Sequence, residues 1–318
     1  MFLNILLLLV GFVLLIKGAD VFVDGASSTA QNLKVSKMLI GLTIIAFGTS
    51  APELAVSFSA LASGSTDMVL GNVIGSCILN VLLILGIAAV IRPIKIRANT
   101  IHKELPMCLM ISTLLAVLFL DIMLAGGSRN QFSRSDAFVV LIFFAIFLYY
   151  LITLAKHSKE TKEKDPQAKY KIGKSLLFVL VGLGGIVIGS QLVVQNCTEI
   201  AAMIGWSERL ISLTVIAFGT SLPELVTTIV AARRGEQDLV VGNIIGSNIF
   251  NICIVLGVPV AIFGSVTPDS FQLLDIFMLV ASAAALFFFA LTRHRISRVE
   301  GAIMLVAFVA YYAVIMAS

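Results

Sequence analysis

Charged residues are scarce in this chain: Asp, Glu, Lys and Arg make up 13% of its 318 residues, whereas 59% are hydrophobic. Together with a mean hydropathy of +1.04, this excludes an ordinary soluble domain and indicates a membrane protein surrounded by a lipid bilayer. The four cysteines show neither zinc-type nor disulfide-type spacing, so no cofactor or disulfide framework is predicted. The net charge of +4 is explained by basic residues at helix ends, so no nucleic-acid partner is expected either.

Long apolar runs alternate with short polar loops along the whole chain. A helix needs about 20 such residues to cross a bilayer, and ten runs are long enough. We therefore expect an all-α membrane protein with ten transmembrane helices. The predicted spans are 2–24, 38–62, 68–90, 105–125, 136–155, 174–195, 210–232, 238–263, 273–291 and 299–317.

Lysine and arginine are distributed unequally between the two sets of loops. The loops after the odd-numbered helices carry 18 of them, whereas those after the even-numbered helices carry only Arg129, Arg134 and Arg209. Basic loops are retained in the cytoplasm. We therefore expect an integral protein of the cell membrane, with both termini outside and the 156–173 loop in the cytoplasm.

The chain contains an internal repeat with an offset of 171 residues. Over 41–54 against 212–225, eleven of fourteen residues are identical without a gap, which indicates a duplication. Because the offset contains five predicted helices, an odd number, the two halves should cross the membrane in opposite senses as an inverted repeat. We predict a first five-helix repeat at 1–155, a linker at 156–173 and a second five-helix repeat at 174–318.

Each repeat places a glutamate inside an apolar helix, in Gly-Thr-Ser-x-Pro-Glu segments that end at Glu53 and Glu224. A charge near the bilayer centre costs about 2.5–3.5 kcal/mol even on lenient scales, so two at matching positions indicate an ion site. The proline removes a backbone hydrogen bond and predicts a bent helix with free carbonyl groups. Such irregular backbone is tolerated in membranes where it lines a cavity.

A second motif, Gly-Asn-x-Ile-Gly-Ser, follows each glutamate at 71–76 and 242–247. In its first copy, the Gly-x-x-x-Gly spacing of Gly71 and Gly75 predicts that another helix comes close. Its serine and the asparagine four residues later share a helix face as oxygen donors. Serine can instead bond its own helix, and asparagine can bond between helices. The matched positions in the two repeats favour the ion site.

These side chains offer two carboxylates, hydroxyls and amides, without a convergent thiol or imidazole. Oxygen-only ligation suits Ca²⁺ and Na⁺ and disfavours zinc or copper. One Ca²⁺ would neutralise Glu53 and Glu224 together, and Na⁺ or H⁺ could replace it. Mutually exclusive occupancy is the physical basis of exchange, and two unpaired buried carboxylates should resist crossing without a cation.

The paired segments Gly-Thr-Ser-x-Pro-Glu and Gly-Asn-x-Ile-Gly-Ser resemble the two alpha repeats of the sodium/calcium exchanger family, prokaryotic type, within the calcium/cation antiporter superfamily. The resemblance covers essentially the whole chain, including Gly18-Ala19-Asp20. It implies ten helices in two inverted halves, with the first and sixth helices sliding across a core that holds the ions. We expect a secondary antiporter rather than an enzyme, with no cofactor, no obligatory protein partner and a monomeric state.

The resemblance also implies the cation ligands, carried over position by position. Each repeat supplies a threonine, two serines, a glutamate, an asparagine and an alanine carbonyl: Thr49, Ser50, Ser76, Glu53, Asn80 and Ala46, then Thr220, Ser221, Ser247, Glu224, Asn251 and Ala217. Some family members, including potassium-dependent ones and some archaeal ones, have aspartate at the position of Asn251. The amide here leaves the two glutamates as the only anionic ligands and argues against potassium dependence.

Several functions share these features. Sodium is the expected counter-ion, because the glycine-asparagine-alanine glutamate motif of related proton/calcium exchangers is absent. Proton coupling is the first alternative and would use the same fold and site. A cation channel, which would pass current without a counter-ion, is a distant alternative. A membrane-embedded hydrolase ranks last, because Ser50 has neither a histidine nor a lysine beside it.

Three charged residues, Lys17, Asp20 and Asp24, lie at helical spacing near the cytoplasmic end of the first helix. We interpret them as paired with one another or extended to the interface, rather than as transport residues. The sixth helix repeats the first without its charges, and Gln191 stands at the place of Asp20.

Overall fold

The computed structural model describes residues 1–126, 130–158, 168–205, 217–267 and 273–317. Up to residue 158 its helices are α1 (Phe2–Leu33), α2 (Lys37–Thr49), α3 (Ala51–Ala62), α4 (Thr66–Ile91), α5 (Ala98–Phe119), α6 (Asp121–Ala125) and α7 (Arg134–Ser158). From residue 172 they are α8 (Ile172–Met203), α9 (Ala217–Thr220), α10 (Leu222–Arg234), α11 (Gln237–Phe263), α12 (Leu273–Arg293) and α13 (Arg298–Ala317).

Most of these helices can cross a membrane. Within the described ranges, eight are long and apolar enough by themselves, namely α1, α4, α5, α7, α8, α11, α12 and α13. A further span is formed by α2 and α3 together, bent by 44°. The predicted span at 210–232 begins outside the described residues, which contain only its α9 and α10 parts. An all-helical integral membrane protein is confirmed, and the count of ten spans stays a prediction.

The helices α1 and α8 are each 32 residues long, so the predicted ends at 24 and 195 are wrong. The extra turns of α1 are rich in serine and threonine, which hydropathy does not recognise as helix. They are held by packing instead, because a Cβ atom at Gly25 would lie 2.7 Å from the Val179 nitrogen. The Asn32 side-chain amide also donates to the Tyr170 carbonyl oxygen at 2.7 Å.

Glycines let α1 and α8 pack backbone against backbone. A Cβ atom at Gly11 would lie 3.0 Å from the Gly189 carbonyl oxygen, and one at Gly182 would lie 2.8 Å from the Gly18 carbonyl oxygen. The offset of 171 residues converts the first of these contacts into the second. Small residues at both crossings allow this close approach, and the two contacts are reciprocal between α1 and α8.

Short β contacts join loops at both ends of the helices. The strand β1 (Ile94–Lys95) follows α4 and pairs antiparallel with β2 (Arg295–Ile296), which follows α12. An isolated antiparallel bridge joins Phe132 to Val266. Nearby, Thr66 at the start of α4 donates to the Thr267 carbonyl oxygen at 3.2 Å. Because β1 lies past the end of α4 and Thr66 at its start, the two β contacts lie at opposite ends of α4.

Asp20 and Asp24 of α1 pair with other elements. Arg234 Nη2 lies 2.7 Å from Asp20 Oδ1, and Arg234 also contacts Asp24. Lys169 Nζ lies 2.9 Å from Asp24 Oδ2, and this hydrogen bond raises the pKa of Lys169, which stays charged at neutral pH. The expected pairing within α1 is therefore wrong, because spacing along one helix does not show partners that lie on α10 or in the loop before α8. The alternative, extension of these side chains to the interface, stays a prediction.

Candidate ion site

The bent helices break at the same serine in both repeats. Ser50 lies between α2 and α3 with φ −84° and ψ 6°, and Ser221 lies between α9 and α10 with φ −89° and ψ 5°. The proline two residues later lies in the first turn of α3 and of α10, where a missing N–H removes no helical hydrogen bond. The expected loss of a hydrogen bond inside a continuous helix is therefore wrong, because the helix already ends at the serine. The predicted bend is confirmed for α2 and α3, and the first turn after each break carries the glutamate.

Each of these serines donates to the glutamate of the other repeat. Ser50 Oγ lies 2.9 Å from Glu224 Oε1, and Ser221 Oγ lies 3.3 Å from Glu53 Oε1. Ser221 Oγ also lies 3.3 Å from Ser76 Oγ. The two glutamates are 0% and 1% exposed. The repeats therefore build one buried polar site between them instead of one site each.

Asn80 and Asn251 lie in irregular turns of α4 and α11, the most buried of the eight described helices that could span a membrane alone. The helix α4 widens into a π-helical segment at Leu79–Leu85, and α11 does so at Asn251–Leu256. Such π segments within α-helices are frequent at functional sites. The two asparagines are 1% and 0% exposed, so both of these predicted ligands lie in the interior of the protein.

Several buried oxygen atoms of these residues lack a hydrogen-bond partner among the described residues: Glu53 Oε2, Glu224 Oε2, Asn80 Oδ1 and Asn251 Oδ1. Leaving a buried polar atom unsatisfied costs about 1–3 kcal/mol, so four such oxygens drawn from both repeats need an explanation. A coordinated cation would supply it, because carboxylate and amide oxygens are ligands that hard cations prefer.

Thr49 and Ser247 meet at an asparagine where α11 crosses α2. Asn243 Oδ1 accepts from Ser247 Oγ at 3.5 Å and lies 3.3 Å from Thr49 Oγ1. The single Thr49 hydroxyl proton is shared between this oxygen and the carbonyl oxygens of Ile45 and Ala46, at 3.1 and 3.4 Å. The crossing is close, since a Cβ atom at Gly242 would lie 2.7 Å from the Met38 carbonyl oxygen. At Gly71 and Gly75, by contrast, no described atom lies within 4 Å of an added Cβ atom, so the close approach predicted for that copy of the motif stays a prediction. By the offset of 171 residues, the contacts of Gly242 correspond to contacts of Gly71 with residues in 209–213. That segment lies outside the described residues.

The predicted alanine carbonyls lie at the helix breaks. The Ala46 carbonyl oxygen accepts from the Ser50 N–H at 3.0 Å, and also from the Thr49 hydroxyl at 3.4 Å. Ala217 and Thr220 are the first and last residues of α9, which places them on the equivalent turn of the second repeat.

Two asparagines that are not among the predicted ligands bond to the helices that carry the glutamates. Asn72 Nδ2 donates to the Glu53 carbonyl oxygen and to Ser57 Oγ, each at 3.0 Å. At the equivalent position, Asn243 Nδ2 donates to Thr228 Oγ1 at 3.0 Å. Both belong to the doubled Gly-Asn-x-Ile-Gly-Ser motif, so their repetition was the signal that could have identified them.

The chemistry of the assembled site is that of oxygen donors. Within the described ranges, no three His, Cys, Asp or Glu side chains come together as a metal cluster. The site instead combines two carboxylates with hydroxyls, amides and a backbone carbonyl. Its formal charge of about −2, with both carboxylates ionised, can be balanced by one divalent or two monovalent cations.

Known proteins resemble this chain over its whole length. A family model described as sodium/calcium exchanger protein matches residues 3–153 and 174–317. CaxA of Alkalimonas amylolytica is 40% identical over 312 residues, 95% of each chain. The sodium/calcium exchanger MaX1 of Methanosarcina acetivorans is 31% identical over 348 positions, 98% of each chain. A structure of the sodium-calcium exchanger NCX_Mj, soaked with 10 mM Na⁺ and zero Ca²⁺, matches with a TM-score of 0.84 and 33% identity, covering 100% of this chain and 99% of that chain.

Proposed function

Because the chain belongs to the sodium/calcium exchanger protein family, we propose that it exchanges Ca²⁺ for Na⁺ by alternating access at the site between the repeats. The family consists of membrane transporters rather than enzymes, and both the family and the NCX_Mj-like fold support cation/Ca²⁺ antiport. The observation that carries the proposal is the reciprocal contact of Ser50 with Glu224 and of Ser221 with Glu53.

This arrangement suits exchange because the two repeats share one pair of carboxylates. Burying an unpaired ion costs several kcal/mol, so a conformational change with both glutamates bare would be strongly disfavoured. A Ca²⁺, or Na⁺ ions in its place, removes that cost. Each cation type then permits the same crossing while excluding the other, which couples the two flows.

The proposed ligands are the twelve residues that the family resemblance implies. The strongest support comes from six side chains. Each takes part in the hydrogen bonds at the glutamates or has a buried oxygen without a hydrogen-bond partner among the described residues: Ser50, Ser221, Ser76, Glu53, Glu224 and Asn80. Thr49, Ser247 and Ala46 border them. Asn251 contributes a buried side chain with no described partner, and Thr220 and Ala217 complete the second repeat by position.

We further propose ten spans, with both termini outside the cell membrane and the 156–173 loop in the cytoplasm. The excess of basic residues after the odd-numbered spans supports this orientation. The salt bridges of Lys37 with Glu236 and of Arg97 with Asp238 join loops on that same side. Labelling of single cysteines at position 2 and position 160 with an impermeant reagent tests it, since only the former should react from outside.

The function is tested by ⁴⁵Ca²⁺ uptake into proteoliposomes of the purified protein. Vesicles loaded with Na⁺ and diluted into Na⁺-free buffer should accumulate Ca²⁺, whereas vesicles with equal Na⁺ on both sides should not. Protein-free vesicles give the background. Uptake driven only by an outward proton gradient would show that H⁺, and not Na⁺, is the coupling ion. Calcium current without any opposing gradient would instead indicate a channel.

A further inference from the structure

We propose that Asn248 is a positioning residue that holds the Asn80 amide with its oxygen, rather than its nitrogen, toward the transported cation. The inference rests on the proposed function, because it concerns how one ligand of that site is presented. Asn248 lies on α11 between Ser247 and Asn251 and is 1% exposed. Its side chain contacts α4 rather than the glutamates, so it lies beside the site instead of in it.

The orientation of Asn248 is set by a backbone group. Its Nδ2 lies 3.3 Å from the Cys77 carbonyl oxygen. A carbonyl can only accept a hydrogen bond, so the NH₂ group of Asn248 must face it. The opposite side of the amide, Oδ1, then faces Asn80, whose Nδ2 lies 3.0 Å away.

This chain of contacts determines the orientation of Asn80 in turn. Since Asn248 Oδ1 can only accept, Asn80 must turn its NH₂ group toward it. Asn80 Oδ1 is left as a buried acceptor without a partner among the described residues. If the amide were rotated by half a turn, its NH₂ would face a cation that it repels and two oxygens would oppose each other. Partners of this kind orient ligands and commonly change metal affinity by about 10–100-fold when lost.

The second repeat has no equivalent support. The position that corresponds to Asn248 is Cys77, whose Sγ lies 3.8 Å from the Asn248 carbonyl oxygen. Both Nδ2 and Oδ1 of Asn251 lack partners among the described residues. The site therefore combines one amide held in the coordinating orientation with one that no hydrogen bond to the described residues orients.

The test compares Asn248→Cys with the unchanged protein. Cysteine is the residue that the first repeat carries at this position, so it suits similar packing, and Asn248→Ala is the second variant. Equilibrium binding of ⁴⁵Ca²⁺ to purified protein should show a dissociation constant raised about 10–100-fold. In vesicles, the KM for Ca²⁺ should rise by a similar factor while the maximal rate changes little. Asn196→Cys, a buried asparagine that bonds its own helix at Leu192, is the matched control with unchanged binding.

A second background separates positioning from general structural damage. The carboxylate introduced by Asn80→Asp has two equivalent oxygens and needs no orientation. In the Asn80→Asp protein, adding Asn248→Cys should therefore leave the Ca²⁺ dissociation constant nearly unchanged. An equal loss of affinity in both backgrounds overturns the inference, and so does unchanged binding by Asn248→Cys alone. If the unmodified protein binds no Ca²⁺, the proposed function itself fails, which is a distinguishable result.

Discussion

The two repeats are nearly equivalent where they face the proposed ion and different at the ends of their helices. Ser50 and Ser221 make the same reciprocal contact with a glutamate. Yet at one end Asp20 and Asp24 of α1 bind Arg234 of α10, whereas the repeat places Gln191, Gln195 and Ser63 at the equivalent positions. Ser63 donates to the Ala60 carbonyl oxygen of its own helix at 2.9 Å. The serine–glutamate contacts of the proposed site are thus matched between the repeats, whereas the contacts at the ends of α1 and α8 are not.

The largest effect on Ca²⁺ uptake is expected from replacing Glu53 or Glu224. Glu53→Gln and Glu224→Gln should each reduce Na⁺-driven ⁴⁵Ca²⁺ uptake to background, because one carboxylate cannot neutralise a divalent cation. An equal loss of uptake in the two variants is expected if both glutamates bind the same cation. Glu104→Gln is the matched control, since Glu104 is also buried but accepts a hydrogen bond from Tyr150 away from the site. Normal uptake by either site variant would contradict the assignment.

The next effect distinguishes the two equivalent glycines of α1 and α8. A Cβ atom at Gly182 would lie 2.5 Å from the Phe22 nitrogen, whereas the nearest atoms to one at Gly11 are 3.0 Å away. Gly182→Ala should therefore lower the thermal unfolding midpoint in detergent more than Gly11→Ala, with a cost of about 1–3 kcal/mol. Gly184→Ala should be neutral, because no described atom lies within 4 Å of its added Cβ. Equal midpoints for all three variants would count against backbone packing of α1 on α8.

A smaller effect concerns ion preference. Asn251→Asp adds a third anionic ligand, which should favour a divalent over a monovalent cation by about tenfold, or about 1.4 kcal/mol. The Na⁺ concentration that displaces half of the bound ⁴⁵Ca²⁺ should rise accordingly. Asn196→Asp, which adds the same charge outside the site, should leave it unchanged. If the displacement curve of Asn251→Asp matches that of the unmodified protein, Asn251 is not a ligand.

The smallest expected effect is at the charged end of α1. The Arg234 and Asp20 side chains are 32% and 39% exposed, and such pairs contribute about 1 kcal/mol or less. Arg234→Gln should increase hydrogen exchange of the amides at 20–33 without changing those at 191–203. High salt should have a similar effect on the unmodified protein, because it screens exposed charges. Arg233→Gln, on the neighbouring residue, is the control, and an equal response there would exclude a specific contact.

The sequence predicts those features of the site that both repeats share, because the same residues occur at matching positions in each half. The proline after Ser50 predicts the bend of α2 and α3, and two glutamates in apolar runs predict one polar site. The internal repeat does not reveal contacts made by residues that have no equivalent in the other half. The repeat does not single out Asn248, because its counterpart is Cys77. It does not show that Arg234 pairs with Asp20 either, because the residue equivalent to Arg234 is a serine.

The sequence patterns also do not predict the full length of α1. Hydropathy marks only the part of α1 that is apolar, whereas the helix continues to Leu33. Its last turns are held by the packing of Gly25 on α8 and by the hydrogen bond of Asn32 to Tyr170, which lies 138 residues away in sequence. Such tertiary support decides where many helices end, and local patterns do not contain it.

The central claim is that both repeats form one cation site at which Ca²⁺ and Na⁺ compete. Equilibrium binding of ⁴⁵Ca²⁺ to the purified protein, titrated with NaCl against a choline chloride control, tests it most directly. We predict one bound Ca²⁺ per chain, fully displaced by Na⁺ and absent from both Glu53→Gln and Glu224→Gln. Calcium binding that Na⁺ does not displace, or that survives in either variant, would contradict a shared site.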